Sequence, residues 1–474
     1  MNLSIFKKLF SFLYISMFFI GIGLAQQDRD INGSWLGQLE FSNMKFRIIF
    51  NIKRGSDKYT ATMDSPDQGT TNIPVNSVSL IDSSVKFDVK ALGGYYEGIL
   101  NKENTFISGK WHQGGELQLD LTKVDKKEIT KGIISEPIHP YNYKVENVVY
   151  LNKKNKIKIS ATLTLPEKGK IFSAVILIPA AGKYNRDEES FGHEPFKVIA
   201  DYLTQNGIAV LRYDSRGVGS STGNYETASA ANFENDVIAG INFLKSKKMI
   251  DSKEIGLIGQ DEGGIIASLV ARKIKSVAFI VLMASPGIPC DSLLIEQSAV
   301  IAKLEGAPDA QINNSLMLNR VLYKIIKSTP DSSLTYQKLH LAYIDYYNNL
   351  KESKSNLEKT FDMQSKVLLN PWFRFFISYD PAKSLEKVKC PVLAINGDKD
   401  VQVPSKENLE KISNALKHGG NKNYKIVELP GLNHLFQTAK TGSPLEYAQI
   451  KETIAPIALK TISDWIQKIT EKKK

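Results

Sequence analysis

A chain of 474 residues, 42% of them hydrophobic and 23% charged, has the make-up of a folded globular protein, and its length leaves room for two or three domains. The formal charge of +11 comes from lysines scattered along the chain rather than from any block of alternating basic and aromatic residues, so the surplus reads as solvated surface and nucleic acid is excluded as a partner. His112, His139, His193, His340, His418 and His434 show no metal-ligand spacing, and no metal or cofactor is expected.

Residues 1–25 read as a signal peptide. Lys7 and Lys8 precede an apolar run from Leu9 to Ile22, and Gly23-Leu24-Ala25 supplies a small-x-small cleavage site before the polar Gln26-Gln27-Asp28. The apolar run is short for a membrane span, so the expectation is an exported chain, periplasmic or extracellular, with no stable span once the leader is cut. Losing Lys7 and Lys8 leaves 11 − 2 = +9 on the mature protein. Cys290 and Cys390 fall near opposite rims of one predicted sheet, too far apart to bridge.

From residue 28 to 124 the apolar residues recur with period two. Phe46, Ile48, Phe50 and Ile52 form one such series, and Val85, Phe87 and Val89 another, with turn residues such as Gly93-Gly94 and Gly114-Gly115 between series. This predicts a small antiparallel all-β domain, barrel or sandwich, with no chemistry of its own. A polar linker follows at 125–142. The remainder, 143–474, alternates apolar strands with helical stretches: a hairpin to Leu165, a strand at Ser173–Ile178, a helix at His193–Asn206, a strand at Ile208–Leu211 and a helix at Asn232–Lys247. That order predicts an α/β domain with a mostly parallel sheet and helices on both faces. An aromatic-rich helical stretch at about 290–380 interrupts it.

The centre of this domain is Gly259-Gln260-Asp261-Glu262-Gly263-Gly264. A buried strand, Ile255-Gly256-Leu257-Ile258, leads into it, and a buried helix from Ile265 leads out. Small residues two before and two after a strained central residue are the mark of a nucleophile elbow, but the centre holds Asp261 where the pattern asks for Ser. Two later strands end in a carboxylate turn, Asn396-Gly397-Asp398-Lys399-Asp400, and in Pro430-Gly431-Leu432-Asn433-His434. The chain order elbow, acid, histidine resembles that of the α/β-hydrolases. Within them it resembles the bacterial extracytoplasmic carboxylesterases grouped with serine aminopeptidase-like hydrolases, over roughly residues 143 to 470.

The resemblance implies an α/β-hydrolase fold with a helical lid, a small ester-like and apolar substrate, Asp400 rather than Asp398 as the acid and His434 as the base. It places an oxyanion hole at the turn Pro179-Ala180-Ala181-Gly182, with the backbone N–H groups of Ala181 and Glu262 as donors, and it places Asp261 where the nucleophile stands. Three departures gather there: Asp261 for Ser, Gln260 for the preceding His, and Ala180-Ala181 in place of Gly-Ser. Three outcomes remain open at this level: ester hydrolysis, changed or reduced by Asp261; carboxylate attack of the epoxide or haloalkane type; and a catalytically silent ligand-binding protein. Ser285, at the end of the strand beside the elbow, is a further candidate nucleophile.

Overall fold

The computed structural model describes residues 29–41, 44–56, 58–65, 70–125, 137, 141–348 and 354–471. The leader expected at 1–25 lies outside the described residues, as does most of the linker expected at 125–142. The described chain forms two compact units, the first made mostly of the strands before residue 125 and the second of the chain after it.

The first unit is one sheet of ten strands: β1 (Gly33–Phe41), β2 (Met44–Arg54), β3 (Tyr59–Ser65), β4 (Thr70–Val75), β5 (Ser77–Ile81), β6 (Ser84–Val89), β7 (Gly94–Leu100), β8 (Phe106–His112), β9 (Glu116–Gln118) and β10 (Leu121–Val124). Their order is β4-β3-β2-β1-β10-β8-β7-β6-β5, with β9 on β8. Only Asn76 separates β4 from β5, yet they stand at opposite ends of that order, so the sheet curls toward a barrel rather than splitting into a sandwich. Period two is what fills its inside: Trp35, Phe50, Val85, Phe87, Val89 and Tyr96 are fully buried. The rings of Phe50 and Phe87 lie 4.8 Å apart, and those of Phe87 and Tyr96 5.4 Å. The Trp35 indole, buried with them, donates to the Ile31 carbonyl at 2.8 Å, which meets the hydrogen-bond demand of its one polar atom. His112 stacks on Tyr95 and has the packed role expected for it.

In the second unit eight strands form one sheet: β11 (Lys144–Asn152), β12 (Ile157–Leu165), β13 (Phe172–Ile178), β14 (Ala209–Tyr213), β15 (Ile250–Gln260), β16 (Ile280–Met283), β17 (Val392–Gly397) and β18 (Tyr424–Leu429). The order is β11-β12-β14-β13-β15-β16-β17-β18. β12 pairs antiparallel with both β11 and β14, and every pairing from β14 to β18 is parallel. The helices are α1 (Pro195–Gln205), α2 (Ala230–Lys245), α3 (Glu262–Ala271), α4 (Cys290–Leu304), α5 (Asp309–Ser328), α6 (Ser332–Asn348), α7 (Lys354–Leu368), α8 (Pro371–Ile377), α9 (Ala382–Leu385), α10 (Ser405–His418) and α11 (Pro456–Glu471).

The apolar runs of the central strands follow from burial on both faces. Ala174, Ile176 and Ile178 of β13 pack into one core with α2, α3 and α10, whereas Val175 and Leu177 pack into a second with α1 and α11. Truncating Ile176, Leu177 or Ile178 to Ala is expected to cost about 2–5 kcal/mol. This rigid sheet brings the carboxyl ends of β13, β15, β17 and β18 to one rim, where side chains from distant parts of the sequence meet.

Helices α4 to α9 are inserted between β16 and β17. Their aromatics pack chiefly among themselves and against the core. Tyr343 and Phe361, both fully buried, have ring centroids 5.3 Å apart, and Trp372 stands edge-on to Phe233 of α2 at 5.4 Å. Cys290 opens α4 and Cys390 precedes β17, and no disulfide joins them.

Candidate active site

β15 ends at Gln260, α3 begins at Glu262, and Asp261 alone makes the turn with φ 49° and ψ −117°. Such a backbone on a residue with a Cβ costs about 1–3 kcal/mol and persists only where the surroundings impose it. Here the Asp261 N–H donates to the Met283 carbonyl at 2.8 Å, and the Ser285 hydroxyl donates to the Asp261 carbonyl at 3.0 Å. Ser285 is therefore a brace for the turn, buried and already committed, rather than a second nucleophile. The flanking glycines are required by space: a Cβ on Gly259 would lie 2.2 Å from the Gly263 carbonyl oxygen, and one on Gly263 would lie 2.2 Å from the carbonyl oxygen of Ile178.

The acid and the base come from the turns after β17 and β18. Asp400 Oδ2 lies 2.8 Å from His434 Nδ1, and Asp400 Oδ1 accepts the N–H groups of Gln402 and Val403, each at 2.8 Å. Asp398, the other candidate acid, is exposed and instead accepts the Gly431 N–H at 2.6 Å. On the far side of the ring, His434 Nε2 lies 3.6 Å from Asp261 Oδ2. The imidazole thus stands between two carboxylates. Burial works against its charged form, but Asp400 and then Asp261 outweigh burial and hold His434 well above the usual imidazole range.

Of the two N–H groups expected to form an oxyanion hole, that of Ala181 lies in the turn after β13 and that of Glu262 at the elbow, and carboxyls from this chain already meet the turn. Ala181 N–H donates to Glu262 Oε2 at 3.2 Å, and Ala180 N–H donates to Glu188 Oε1 at 2.8 Å. The Glu262 carboxyl thus engages one of the two expected donors, the Ala181 N–H. Burial first, then the neighbouring Asp261 carboxylate, push Glu262 well above the carboxylate range. Burial and Asp261 likewise raise Glu188, to about 8.

Glu188 is positioned by the charged run that precedes it. Arg186 pairs with Asp214 through Nε at 3.0 Å and Nη2 at 2.7 Å, and Arg212 pairs with Asp187. The loop after β14 is latched in turn by Arg216, whose guanidinium forks onto Asp236 of α2 at 2.8 and 2.9 Å.

A cavity of about 350 Å³ opens beside Asp261 and His434. The resemblance implied an apolar substrate, and the wall is mixed: Gln260, Gln297, Gln402 and Gln437 with Glu188 and Glu262 stand beside Tyr184, Phe191, Leu435 and Tyr447. Among the described residues of the helical insertion only Gln297 lines this cavity, while Trp372 lines an adjoining void of about 30 Å³ that shares Ala180, Ala181 and Glu262 with it. Among the described residues no group of three or more His, Cys, Asp or Glu side chains has an arrangement that could hold a metal ion.

Two family models match the chain: the one described as serine aminopeptidase, S33, over residues 194–338, and the prolyl oligopeptidase family over residues 349–453. The first spans the elbow and the second spans the acid and the histidine, the parts that the sheet brings to one rim. The chain belongs to the α/β-hydrolase superfamily. Esterase EstD of Thermotoga maritima is similar to it, with 22% identity over 414 residues that cover 85% of this chain and 90% of EstD. An uncharacterised 31.7 kDa protein from the traX-finO intergenic region of Escherichia coli is 22% identical over 214 residues, covering 44% of this chain and 68% of its own. Among solved structures, the esterase Pf2001 of Pyrococcus furiosus is 16% identical, with a TM-score of 0.42, and covers 72% of this chain and 98% of its own.

Of the superfamily positions expected from sequence, Asp261 and His434 meet at one cavity with Asp400 behind the ring, and Ala181 and Glu262 line its edge with the Ala181 N–H engaged by the Glu262 carboxyl. Sequence reading missed the second contribution of Glu262, through its side chain, and missed Glu188. The available signal was an acidic residue directly after the elbow and another closing the charged run.

Proposed function

We propose that this protein is a hydrolase of esterase lineage that cleaves small substrates through a covalent intermediate on Asp261. One observation carries the reading: the His434 ring is held between Asp400 at 2.8 Å and Asp261 at 3.6 Å. In the resting state the two carboxylates keep His434 protonated. Attack by Asp261 on an electrophilic carbon forms an aspartyl ester and releases an oxygen leaving group, which takes the His434 proton. Esterification removes the charge that had held that proton, so the neutral imidazole can accept one from water. Water then adds to the aspartyl ester, the alcohol leaves, and the pair of Asp261 carboxylate and His434 imidazolium is restored.

The first step goes most readily at a saturated carbon, where displacement builds no oxyanion. Attack at an acyl carbon would move the Asp261 charge onto an oxyanion that needs the Ala181 N–H, which Glu262 holds. EstD, named an esterase, supports the hydrolase lineage without fixing the bond that is cleaved. The inserted helices, which reach the cavity through Gln297, act as its lid. The leader-like residues 1–25 add export to the proposal, which sequencing the amino terminus of the secreted protein would check.

The experiment is a panel of short-chain aryl esters, epoxides and haloalkanes given to the mature protein in heavy-oxygen water. Single turnovers that place label in the Asp261 side chain support the mechanism; turnover with no label there removes it. A second reading, a silent ligand-binding protein, is favoured by the Glu262 carboxyl on Ala181 N–H. No turnover on any of the panel by wild type, with ester hydrolysis gained by Asp261→Ser, is the result that supports it.

A further inference from the structure

The cavity beside Asp261 has an unbalanced charge. Its wall brings three carboxyls, those of Glu188, Asp261 and Glu262, and among its lining residues there is no lysine or arginine. Of its two imidazoles, His434 is already clamped by Asp400 and Asp261. Burial lowers His193 and favours its neutral form; its Nδ1 lies 2.8 Å from Thr453 Oγ1 and its Nε2 lies 3.2 Å from the Gln437 amide. Among the described residues lining the cavity, His434 is thus the one cation near Glu188, and it is shared with Asp400 and Asp261.

Two acceptors on this wall are buried and, among the described residues, have no partner: Glu188 Oε2 and Gln260 Oε1. Both side chains belong to deeply buried residues, with relative exposures of 4% and 3%. The other oxygen of Glu188 is fixed by Ala180 N–H at 2.8 Å, so the carboxyl is held in one orientation with one side unused. An unmet buried acceptor costs about 1–3 kcal/mol, and more when it is charged, unless a ligand completes it. Burial first, and then the Asp261 charge, raise the Glu188 carboxyl to about 8 against the lowering pull of the Ala180 N–H and of His434.

We infer that the cavity recognises a small ligand bearing a protonated amine, whose N–H donors are taken by Glu188 Oε2 and Gln260 Oε1 while the rest of the molecule lies along Asp261. An ammonium offers three donors and a full positive charge, and so meets both deficits at once. A hydroxyl-rich ligand would fill the acceptors but leave the charge unbalanced. The inference rests on the cavity being the substrate site of the proposed hydrolase, but its binding half needs no turnover.

The groups facing Glu188 are Asp261 and Glu262 at the elbow, His434 after β18, Tyr184 on its own loop and Tyr213 at the end of β14. Their ionisation bears on any pH response, so a variant at Glu188 itself is needed to isolate its part.

Calorimetry on the full mature chain with n-butylammonium, n-butanol and butyrate tests the inference. The expected result is n-butylammonium binding about tenfold or more tighter than n-butanol, butyrate binding least, and ammonium affinity rising between about pH 6 and pH 8.5 as Glu188 ionises while the amine stays charged. Glu188→Gln keeps an oxygen for Ala180 N–H and should abolish both the preference and the pH response; Gln260→Leu should weaken ammonium binding by a smaller factor. Equal binding of the three probes, preference for n-butanol or butyrate, or an unchanged preference in folded Glu188→Gln overturns it. Because these readouts are of binding, ammonium preference can survive when no label reaches Asp261, and label at Asp261 can appear without ammonium preference.

Discussion

The two halves of the site tell different stories. The acid and base half is complete: His434 and Asp400 meet at 2.8 Å, and both oxygens of Asp400 are satisfied. The elbow and loop half keeps the same backbone, with its strained turn and obligatory glycines, but its chemistry is changed by three carboxyls, Asp261, Glu262 and Glu188. The difference teaches that the scaffold of a nucleophile elbow is set by backbone space, so it survives replacement of the residue it was built to present. The retained half gives the changed half something to work with, an imidazole whose charge depends on Asp261.

Breaking the intact half should have the largest effect. If Asp261 is alkylated and His434 then activates water, His434→Gln should lower steady-state turnover by about 10²–10⁴ and let the aspartyl adduct accumulate. Intact-mass spectrometry after substrate addition checks it; loss of turnover with no adduct would count against the covalent step.

The changed half carries its own penalty. Glu188 has a folded value of about 8 against the ordinary carboxyl value of 4.5, so between those limits the native state binds more protons than the unfolded chain and stability falls as pH rises. The loss is complete above the folded value and is on the order of 5 kcal/mol at most. Denaturant melts at about pH 5 and pH 9 should show wild type losing stability and Glu188→Gln losing far less.

A smaller effect separates the two roles of Glu262. In Asp261→Ser the hole is still filled by its carboxyl, so Asp261→Ser/Glu262→Gln should hydrolyse an aryl ester about 10²-fold faster than the single variant, the worth of a freed oxyanion donor. Equal rates would mean that the Glu262 carboxyl is no obstacle. The charge link between the halves can also be read directly: Asp261→Asn should lower the titration midpoint of His434, followed by imidazole NMR. Ser285→Ala sits at the small end, with the loss of one hydrogen bond to the Asp261 carbonyl worth about 1 kcal/mol and turnover largely kept.

Much of this was legible before any coordinates. The elbow could be read because its backbone forbids a Cβ at Gly259 and Gly263, a demand that leaves letters in the sequence. Asp400 was separable from Asp398 only through the family resemblance, and the geometry agrees because Asp398 turns to the Gly431 N–H. The mixed wall of the cavity was not legible. Tyr343, Trp372 and their neighbours have the composition of a pocket wall, but Tyr343 packs on Phe361 and Trp372 on Phe233.

The sequence by itself determined the elements and their order: period two for the barrel strands, continuous apolar runs for strands covered on both faces, and the chain order of elbow, acid and histidine. These are local properties, fixed by neighbours within a few residues. The tertiary structure alone decided that Glu262 reaches back across 81 positions to Ala181 and that Glu188 meets Ala180 with one oxygen and nothing with the other. Such contacts depend on where the sheet sets two loops, and a buried carboxyl acquires its charge and its chemistry from that placement rather than from its letter.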